Sequence, residues 1–275
     1  MIRVENLSKR FQKTLAVDHI DLKVQPGEIM GFLGPNGAGK TTTIRMIAGL
    51  MKPDTGTITL DGYNLATDPE KAKAVVGFVP DRPFLYEKLT GWEFLEFSAG
   101  IYQVSPLELE HLGAYYLEMF ELLDWKDELI EGYSHGMKQR LIISSALLHR
   151  PKIFIIDEPM VGLDPRGVRL VKNLFTAMAK ERATAVLLST HTLAVAEEIC
   201  SMITIIHKGK IIASDTPANL KATIAKTGGN LEQAFLKLTG AEEVESLESS
   251  LGVKEHIGEL AIHDAEGDSR KSRRS

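Results

Sequence analysis

Short apolar runs recur along the chain, separated by polar and turn-forming residues. Unbroken runs of this kind are typical of buried strands in parallel sheets, and they occupy residues 29–33, 75–79, 153–156 and 185–188. A second group of strand-like segments, two of them with alternating polarity, comprises residues 2–4, 21–24 and 57–60. Residues 202–206 and 210–213 flank Lys208-Gly209 and are predicted to form a hairpin. The pattern therefore predicts a mainly parallel sheet with an antiparallel sheet beside it.

Helical spacing follows several of these runs and dominates residues 84–150. Within that stretch, Ser105 and Glu108 fit a capping box with Pro106 at the first helical position. Further helices are predicted at residues 42–50, 134–149, 170–180 and 193–199. The fold class is thus an α/β core interrupted by a helical insert at about 84–150, within a domain of residues 1–240. Residues 241–275 are rich in Glu and Ser and then basic, and we expect a largely flexible tail.

A glycine-rich loop lies between the first buried strand and the first helix, and it reads Gly34, Pro35, Asn36, Gly37, Ala38, Gly39, Lys40, Thr41, Thr42. This is the phosphate-binding P-loop pattern, in which glycines let backbone N–H groups surround phosphate oxygens. A helix that begins at Lys40 adds the positive end of its dipole. Lys40 is expected to reach the β- and γ-phosphates, and the Thr41 hydroxyl is expected to bind Mg²⁺.

Four further segments follow the P-loop along the chain. They comprise residues 133–140, residues 153–159 with Asp157 and Glu158, residues 162–164 and residues 189–191. Together with the P-loop they resemble the nucleotide-binding subunit of ATP-binding cassette (ABC) transporters over residues 2–240. The resemblance is nearest to stand-alone ATPases of the exporter branch that pair with a separate permease. It implies a P-loop NTPase core, an antiparallel β subdomain and a helical insert.

The resemblance implies a role in ATP hydrolysis for several residues. Asp157 is expected to hold Mg²⁺ through its carboxylate, since hard cations take oxygen ligands. Glu158 is expected to act as the general base that activates the attacking water. His191 is expected to contact the γ-phosphate and to keep the water and Glu158 in register. The cofactors implied are ATP and Mg²⁺.

The same resemblance implies that two copies enclose two nucleotides head to tail. Ser134 and Gly136, at a helix N-terminus, are expected to bind the ATP held by the partner subunit. Asp164 is expected to lie at that dimer interface. Phe11 is expected to stack on adenine, with a core phenylalanine as the alternative, and Val17 is expected to flank the same base.

Two positions depart from the family pattern. His135 stands where the Leu-Ser-Gly-Gly-Gln signature usually has its first glycine. Asp81 stands where the family usually has a glutamine that binds Mg²⁺ and links the ATP site to the helical insert. A carboxylate can also bind Mg²⁺, although it is one methylene shorter. We therefore expect Asp81 to serve as a metal and nucleotide contact, with a plain turn residue as the alternative.

Composition and charge indicate the cellular compartment and exclude some classes of partner. The 275 residues carry a net charge of −5, so nucleic acid is not expected as a partner. The single cysteine, Cys200, excludes an internal disulfide and a multi-cysteine metal site. Neither a signal peptide nor an apolar run long enough to span a bilayer is evident. We expect a cytoplasmic protein, peripheral on the membrane, whose permease is another chain.

Alternative functions remain open at this stage. A soluble ABC ATPase acting on ribosomes or DNA is the main one, although such proteins usually carry two cassettes, coiled coils or iron–sulfur cysteines. A P-loop kinase would not account for residues 133–140, and a weakly active regulatory subunit would not need the full catalytic set. The sequence leaves the cargo open, and also whether the ATPase pairs with itself or with a homologue.

Overall fold

Two sheets organise the residues that the structure, a computed structural model, describes, namely 1–82 and 84–225. One sheet has four strands in the order β2-β1-β4-β5, and its pairs are antiparallel. The other has six strands in the order β10-β9-β3-β8-β7-β6. The strands are β1 (Ile2–Phe11), β2 (Thr14–Val24), β3 (Ile29–Leu33), β4 (Thr55–Leu60), β5 (Tyr63–Asn64), β6 (Val76–Val79), β7 (Ile153–Asp157), β8 (Ala185–Thr190), β9 (Met202–His207) and β10 (Lys210–Asp215).

Eight α-helices connect these strands in the described part of the chain. They are α1 (Lys40–Ile47), α2 (Pro69–Ala74), α3 (Gly91–Ile101), α4 (Pro106–Met119), α5 (His135–Leu147), α6 (Pro165–Arg182), α7 (Leu193–Ile199) and α8 (Pro217–Ala225). Helices α3 to α5 all fall within the predicted insert of residues 84–150. The predicted α/β class, with its antiparallel subdomain and helical region, is confirmed.

The six-stranded sheet is parallel from β9 through β3, β8 and β7 to β6, and only β10 runs antiparallel, as the predicted hairpin partner of β9. Every residue of β3, β7 and β8 is buried. This explains their unbroken apolar sequences, because a central strand covered on both faces has no solvent-facing positions.

The hydrophobic core between the two sheets includes α1. It brings Val4 and Leu22 of the antiparallel sheet together with Ile44 and Ile47 of α1 and Leu187 of β8. This core fixes the start of α1, and therefore the glycine loop, against the large sheet.

Several predicted boundaries need correction. Strand β2 begins at Thr14 rather than Asp21, because register shifts against β1 carry the pairing past bulges near Leu7 and Lys9. Helix α6 begins at Pro165 rather than Leu170, because Asp164 caps it. The capping box of Ser105 and Glu108 is present with both of its hydrogen bonds.

The chain divides into two compact units, residues 1–220 and residues 221–275, and the site lies in the first. The predicted domain ending near residue 240 and the predicted tail of residues 241–275 lie outside the described residues. None of the described helices has the length and apolar character needed to cross a bilayer.

Candidate active site

The carboxyl ends of four adjacent parallel strands meet at one edge of the large sheet. The glycine loop follows β3, His191 follows β8, Asp157 and Glu158 end β7, and Asp81 follows β6. In open α/β sheets, ligands bind at this edge, because the loops that leave neighbouring strands converge there. Residues from four distant parts of the sequence are therefore brought together by topology alone.

The glycine loop fits only where side chains are absent. A Cβ atom at Gly34 would lie 2.4 Å from the carbonyl oxygen of Ile206. At Gly39, where φ is +111°, a Cβ would lie 2.5 Å from the carbonyl oxygen of Ala16. Both obstacles are backbone atoms of neighbouring strands, so the loop must run close to the sheet. This brings its N–H groups and the N-terminus of α1 together at one point.

Lys40 is the first residue of α1, and it is only 7% exposed. Its Nζ donates to the carbonyl oxygens of Gly34 at 2.6 Å and Pro35 at 3.2 Å. Burial lowers the pKa of Lys40, while the charges of Glu158 and Asp157 raise it. The lysine is thus held at the loop, opposite the two carboxylates.

The two carboxylates at the end of β7 have different surroundings. Asp157 is 2% exposed, and its Oδ1 accepts a hydrogen bond from the Ser189 hydroxyl at 2.5 Å. Glu158 is in the left-handed backbone region, with φ of +52°, and its N–H donates to the Ser189 carbonyl oxygen at 3.1 Å. Such a backbone conformation is uncommon in residues other than glycine. It turns the Glu158 side chain away from the strand direction.

His191 and Glu158 form a direct pair. The Nδ1 atom of His191 lies 2.9 Å from Oε1 of Glu158. An ionised carboxylate can only accept a hydrogen bond, so this contact requires the proton of the imidazole to be on Nδ1. A carboxylate that is oriented by a second group is the arrangement that general base catalysis needs.

A cavity of about 250 Å³ collects about half of the residues predicted to contact the nucleotide. Six of the predicted P-loop residues line it together with Asp81 and Glu158; those six are Asn36, Gly37, Gly39, Lys40, Thr41 and Thr42. Asp81 also lies 3.9 Å from the guanidinium of Arg45. Gly34, Pro35 and Ala38 belong to the same loop but do not line the cavity.

Val17 does not line this cavity. Its side chain has no exposed surface and belongs to the hydrophobic core. Its neighbour Ala16 lines the cavity instead, because successive side chains of a strand point in opposite directions. Phe11, by contrast, is 44% exposed at the end of β1, so it is not a core phenylalanine, although it does not line this cavity.

Ser134, Gly136 and Asp164 also lie away from the cavity lining. The Ser134 hydroxyl caps α5 by accepting from the Met137 N–H at 3.2 Å. Asp164 caps α6 by accepting from the Gly167 N–H at 3.0 Å. Both capping residues are exposed, so a second molecule can reach the N-termini of both helices.

Sequence reasoning gave no role to Ser189 or Ala16. Ser189 lies in the motif of residues 189–191, and it is paired with Asp157 across the parallel strands β7 and β8. The register of these two strands is the signal that would have identified it. Ala16 shares its strand with Val17, and only the strand's orientation distinguishes the two.

Oxygen donors suited to Mg²⁺ are present at the site. Thr41, Asp81 and Asp157 offer a hydroxyl and two carboxylates, which match the preference of a hard cation. Among the described residues, no cluster of three His, Cys, Asp or Glu side chains forms a metal cage. Mg²⁺ usually binds to one or two protein ligands and to the phosphates of a nucleotide.

The geometry of the site agrees with comparisons to known proteins. The family profile described as ABC transporter matches residues 17–161. The chain belongs to the ABC transporter family. It is 35% identical to the linearmycin resistance ATP-binding protein LnrL of Bacillus subtilis, in an alignment that covers 97% of this chain and 83% of that protein. This ABC protein is therefore an ATP-binding subunit and an ATPase.

Solved structures lead to the same family. The ABC protein matches a structure described as the ATP binding subunit of an ABC transporter, with a TM-score of 0.81, 35% identity and coverage of 87% of this chain and 99% of that one. A dimeric structure of a bacterial ABC transporter cassette matches with a TM-score of 0.73 and 25% identity, over 79% of this chain and 99% of that one. The predicted ABC ATPase fold is confirmed.

Proposed function

We propose that this ABC ATPase is the motor subunit of an exporter, which hydrolyses ATP with Mg²⁺ in a head-to-tail dimer on the cytoplasmic face of a membrane. One observation carries the proposal: the catalytic pair Glu158–His191 and the P-loop belong to one site, while Ser134 and Asp164 lie exposed outside it. The residues expected to bind nucleotide are thus divided between a cavity and an open surface. A second copy of the chain would bring the two parts together.

The hydrolysis step follows from the positions of the charged groups. Glu158 accepts a proton from water as the water oxygen bonds to the γ-phosphorus, and the bond from that phosphorus to the bridging oxygen of ADP breaks. His191 donates to Glu158 through Nδ1 and holds the carboxylate in place, and a second proton on its Nε2 would let it donate to a γ-phosphate oxygen as well. Lys40 and the N–H groups of the loop stabilise charge on the phosphate oxygens.

Three residues would hold the metal. Thr41, Asp157 and Asp81 supply its oxygen ligands, directly or through water, and bound Mg²⁺ would neutralise phosphate charge. Ser189, which donates to Asp157, would orient that carboxylate. In this proposal Asp81 takes the place of the family's glutamine.

The dimer is supported by exposed helix N-termini and by a structural relative. The first turn of α5 follows Ser134, and the N–H groups of a helix's first turn have no partners within the helix, so such a turn attracts phosphate. Gly136 contributes a backbone N–H to the same turn. The related bacterial cassette is described as dimeric. Phe11, exposed at the end of β1, offers a ring on which adenine stacks.

A cluster of exposed aromatic rings is the best surface for a permease. Phe84, Tyr86 and Phe97 are 76%, 46% and 44% exposed. Tyr86 makes edge-to-face contacts with both of the other rings, at 5.6 Å to Phe84 and 5.2 Å to Phe97 between centroids. A monomer gains nothing by exposing such a cluster, so it marks a site for a protein partner. We call these three rings the aromatic patch.

The name of one relative, the linearmycin resistance protein, favours export. Resistance to linearmycin fits removal of a toxic compound from the cell, so the proposed cargo class is a toxic compound. Specificity for the cargo would lie in the permease.

The test combines an ATP-trapped variant with isolation of its partner. Glu158→Gln should bind ATP without hydrolysing it and elute as a dimer with ATP but not with ADP, while Lys40→Ala, as a control, should stay monomeric. Glu158→Gln isolated from gently solubilised membranes should bring a multi-span membrane protein in stoichiometric amount. Recovery of ribosomes or DNA-associated proteins alone would favour a soluble ABC ATPase and overturn the proposal.

A further inference from the structure

His135 packs against the loop that follows the catalytic carboxylate. A Cβ atom built at Gly162 would lie 1.9 Å from Cδ2 and 2.6 Å from Nε2 of the His135 ring. The imidazole therefore occupies the space that a side chain at position 162 would need. Gly162 also has φ of +79°, in the left-handed region, so both its backbone and its neighbour require glycine.

The next residue of α5 contacts the same point. A Cβ at Gly136 would lie 2.9 Å from the carbonyl oxygen of Gly162. The first turn of α5 thus contacts Gly162 through two consecutive residues, one by its ring and one by its backbone. A glycine at position 135, as in the family signature, would leave only the backbone contact.

Gly162 is connected to Glu158 by a tight turn. The Val161 N–H donates to the Glu158 carbonyl oxygen at 3.3 Å, and the Leu163 N–H donates to that of Met160 at 3.3 Å. These two hydrogen bonds leave little freedom between residues 158 and 163. A shift of Gly162 would consequently move the Glu158 backbone, which itself bonds to Ser189.

A second set of contacts keeps α5 and α6 together. Arg140 donates from Nε to the Gly136 carbonyl oxygen at 3.3 Å, and its Nη1 lies 3.9 Å from Glu121. Glu121 also pairs with Arg166 in the first turn of α6. The start of α5 is therefore joined to the start of α6, which limits how far His135 can separate from Gly162.

From these contacts we propose that His135 is a positioning residue that transmits ATP binding at one site of the dimer to Glu158 at the other. The inference rests on the proposed function, in which Ser134 and Gly136 bind the partner's ATP. When the first turn of α5 moves toward the bound ATP, the His135 ring moves Gly162 with it. This fixes the turn of residues 158–163, which orients Glu158. Each nucleotide would then activate the opposite site, and hydrolysis would be cooperative in ATP.

The test compares His135→Ala with the wild-type protein. Misplacement of about 1 Å at a positioning contact costs up to about 100-fold in rate, so a loss of kcat of about tenfold is expected. The Hill coefficient for ATP should fall from above one toward one, while binding of a fluorescent ATP analogue and the melting temperature stay unchanged. His135→Phe, which keeps a flat ring over Gly162, should restore most of both quantities. His111→Ala, at an exposed histidine of α4, is the matched control.

A double-mutant cycle checks the contact itself. Gly162→Ala should impair kcat more in the wild-type background than in the His135→Ala background, because removal of the ring frees the space for the new methyl group. Additive effects, an unchanged Hill coefficient in His135→Ala or a non-cooperative wild type would each overturn the inference. If Glu158→Gln forms no ATP-dependent dimer, the proposed function fails. If it does and His135→Ala behaves as the wild type, only this inference fails.

Discussion

At the scale of single residues, the end of β8 organises the carboxylates of β7. Ser189 donates to Asp157, and His191, two residues later, contacts Glu158. The pairing of Ser189 with Asp157 in the register of the two strands makes the first contact. The second follows because Glu158 turns out of the strand through its left-handed backbone. Two side chains at the end of β8 thus hold the two carboxylates at the end of β7.

Ser189→Ala should weaken the dependence of activity on Mg²⁺. Removing the hydroxyl leaves buried Asp157 without the donor that orients it, and loss of such a supporting group typically costs about 10- to 100-fold in metal affinity or activity. ATP hydrolysis measured across a Mg²⁺ titration should show a higher half-saturating concentration, with activity partly recovered at high Mg²⁺. Ser145→Ala, which removes a buried hydroxyl bonded to the Ile142 carbonyl oxygen, is the control. An unchanged Mg²⁺ titration would contradict the role given to Ser189.

Two glycines of the loop should respond differently to the same substitution. Gly37 and Gly39 both have positive φ, of +78° and +111°, so alanine costs about 1–2 kcal/mol in strain at either position. Nothing lies within 4 Å of a Cβ at Gly37, whereas a Cβ at Gly39 meets the Ala16 carbonyl oxygen at 2.5 Å. Gly37→Ala should retain weakened binding of a fluorescent ATP analogue, and Gly39→Ala should lose it. Equal losses of binding in the two variants would mean that backbone strain alone causes the loss, and not the contact with β2.

At the scale of elements, features that depend on a few consecutive residues were predicted well, whereas the register between strands was not. The Ser105 cap, the buried strands and the hairpin each depend on a few consecutive residues, and each was found where expected. The start of α6 was missed because Asp164-Pro165 fits both a turn and a capped helix. The contact between Ser189 and Asp157 joins residues 32 apart, which only strand pairing brings together. The strand ends could be predicted to converge, but not which side chain of β2 faces the cavity.

His149 joins three elements and should make stability depend on pH. Its ring stacks on Tyr102, at the end of α3, with centroids 3.7 Å apart, and its Nε2 lies 3.1 Å from the Val76 carbonyl oxygen of β6. Burial lowers the pKa of His149 to about 4, from about 6.5 in the unfolded chain. Between these values the unfolded state binds the extra proton, so stability falls as pH drops from about 6.5 toward 4.

At pH 5 this single group should remove about 2 kcal/mol of unfolding free energy relative to pH 7.5. The prediction is checked by urea unfolding of the wild type and of His149→Gln at both pH values. The variant is expected to be less stable at pH 7.5, since it loses the stacking on Tyr102, but its stability should change less with pH. The same pH dependence in both proteins would assign the effect to other groups.

At the scale of the whole molecule, the nucleotide cavity and the aromatic patch are neighbours along the chain. Asp81 lines the cavity, and Phe84, three residues later, is the most exposed ring of the patch. Asp81 follows β6, which also receives the His149 contact from the helical region. A change in phosphate binding that displaces Asp81 would therefore reach the patch over a very short distance.

The patch should consequently be needed for coupling to a permease but not for hydrolysis by the ATPase alone. Phe84→Ala combined with Phe97→Ala removes two exposed rings that do not line the cavity, so basal ATP hydrolysis should stay within about twofold, as is usual for surface substitutions. Stimulation by the reconstituted permease should fall by about tenfold or more, because clustered aromatic anchors carry most of the binding energy at protein interfaces. Leu107→Ala is the matched control, since Leu107 is an apolar side chain of α4, 65% exposed, outside the patch. Full stimulation of the double variant would place the permease elsewhere, and an equal fall in basal activity would show that the rings support the fold rather than a partner.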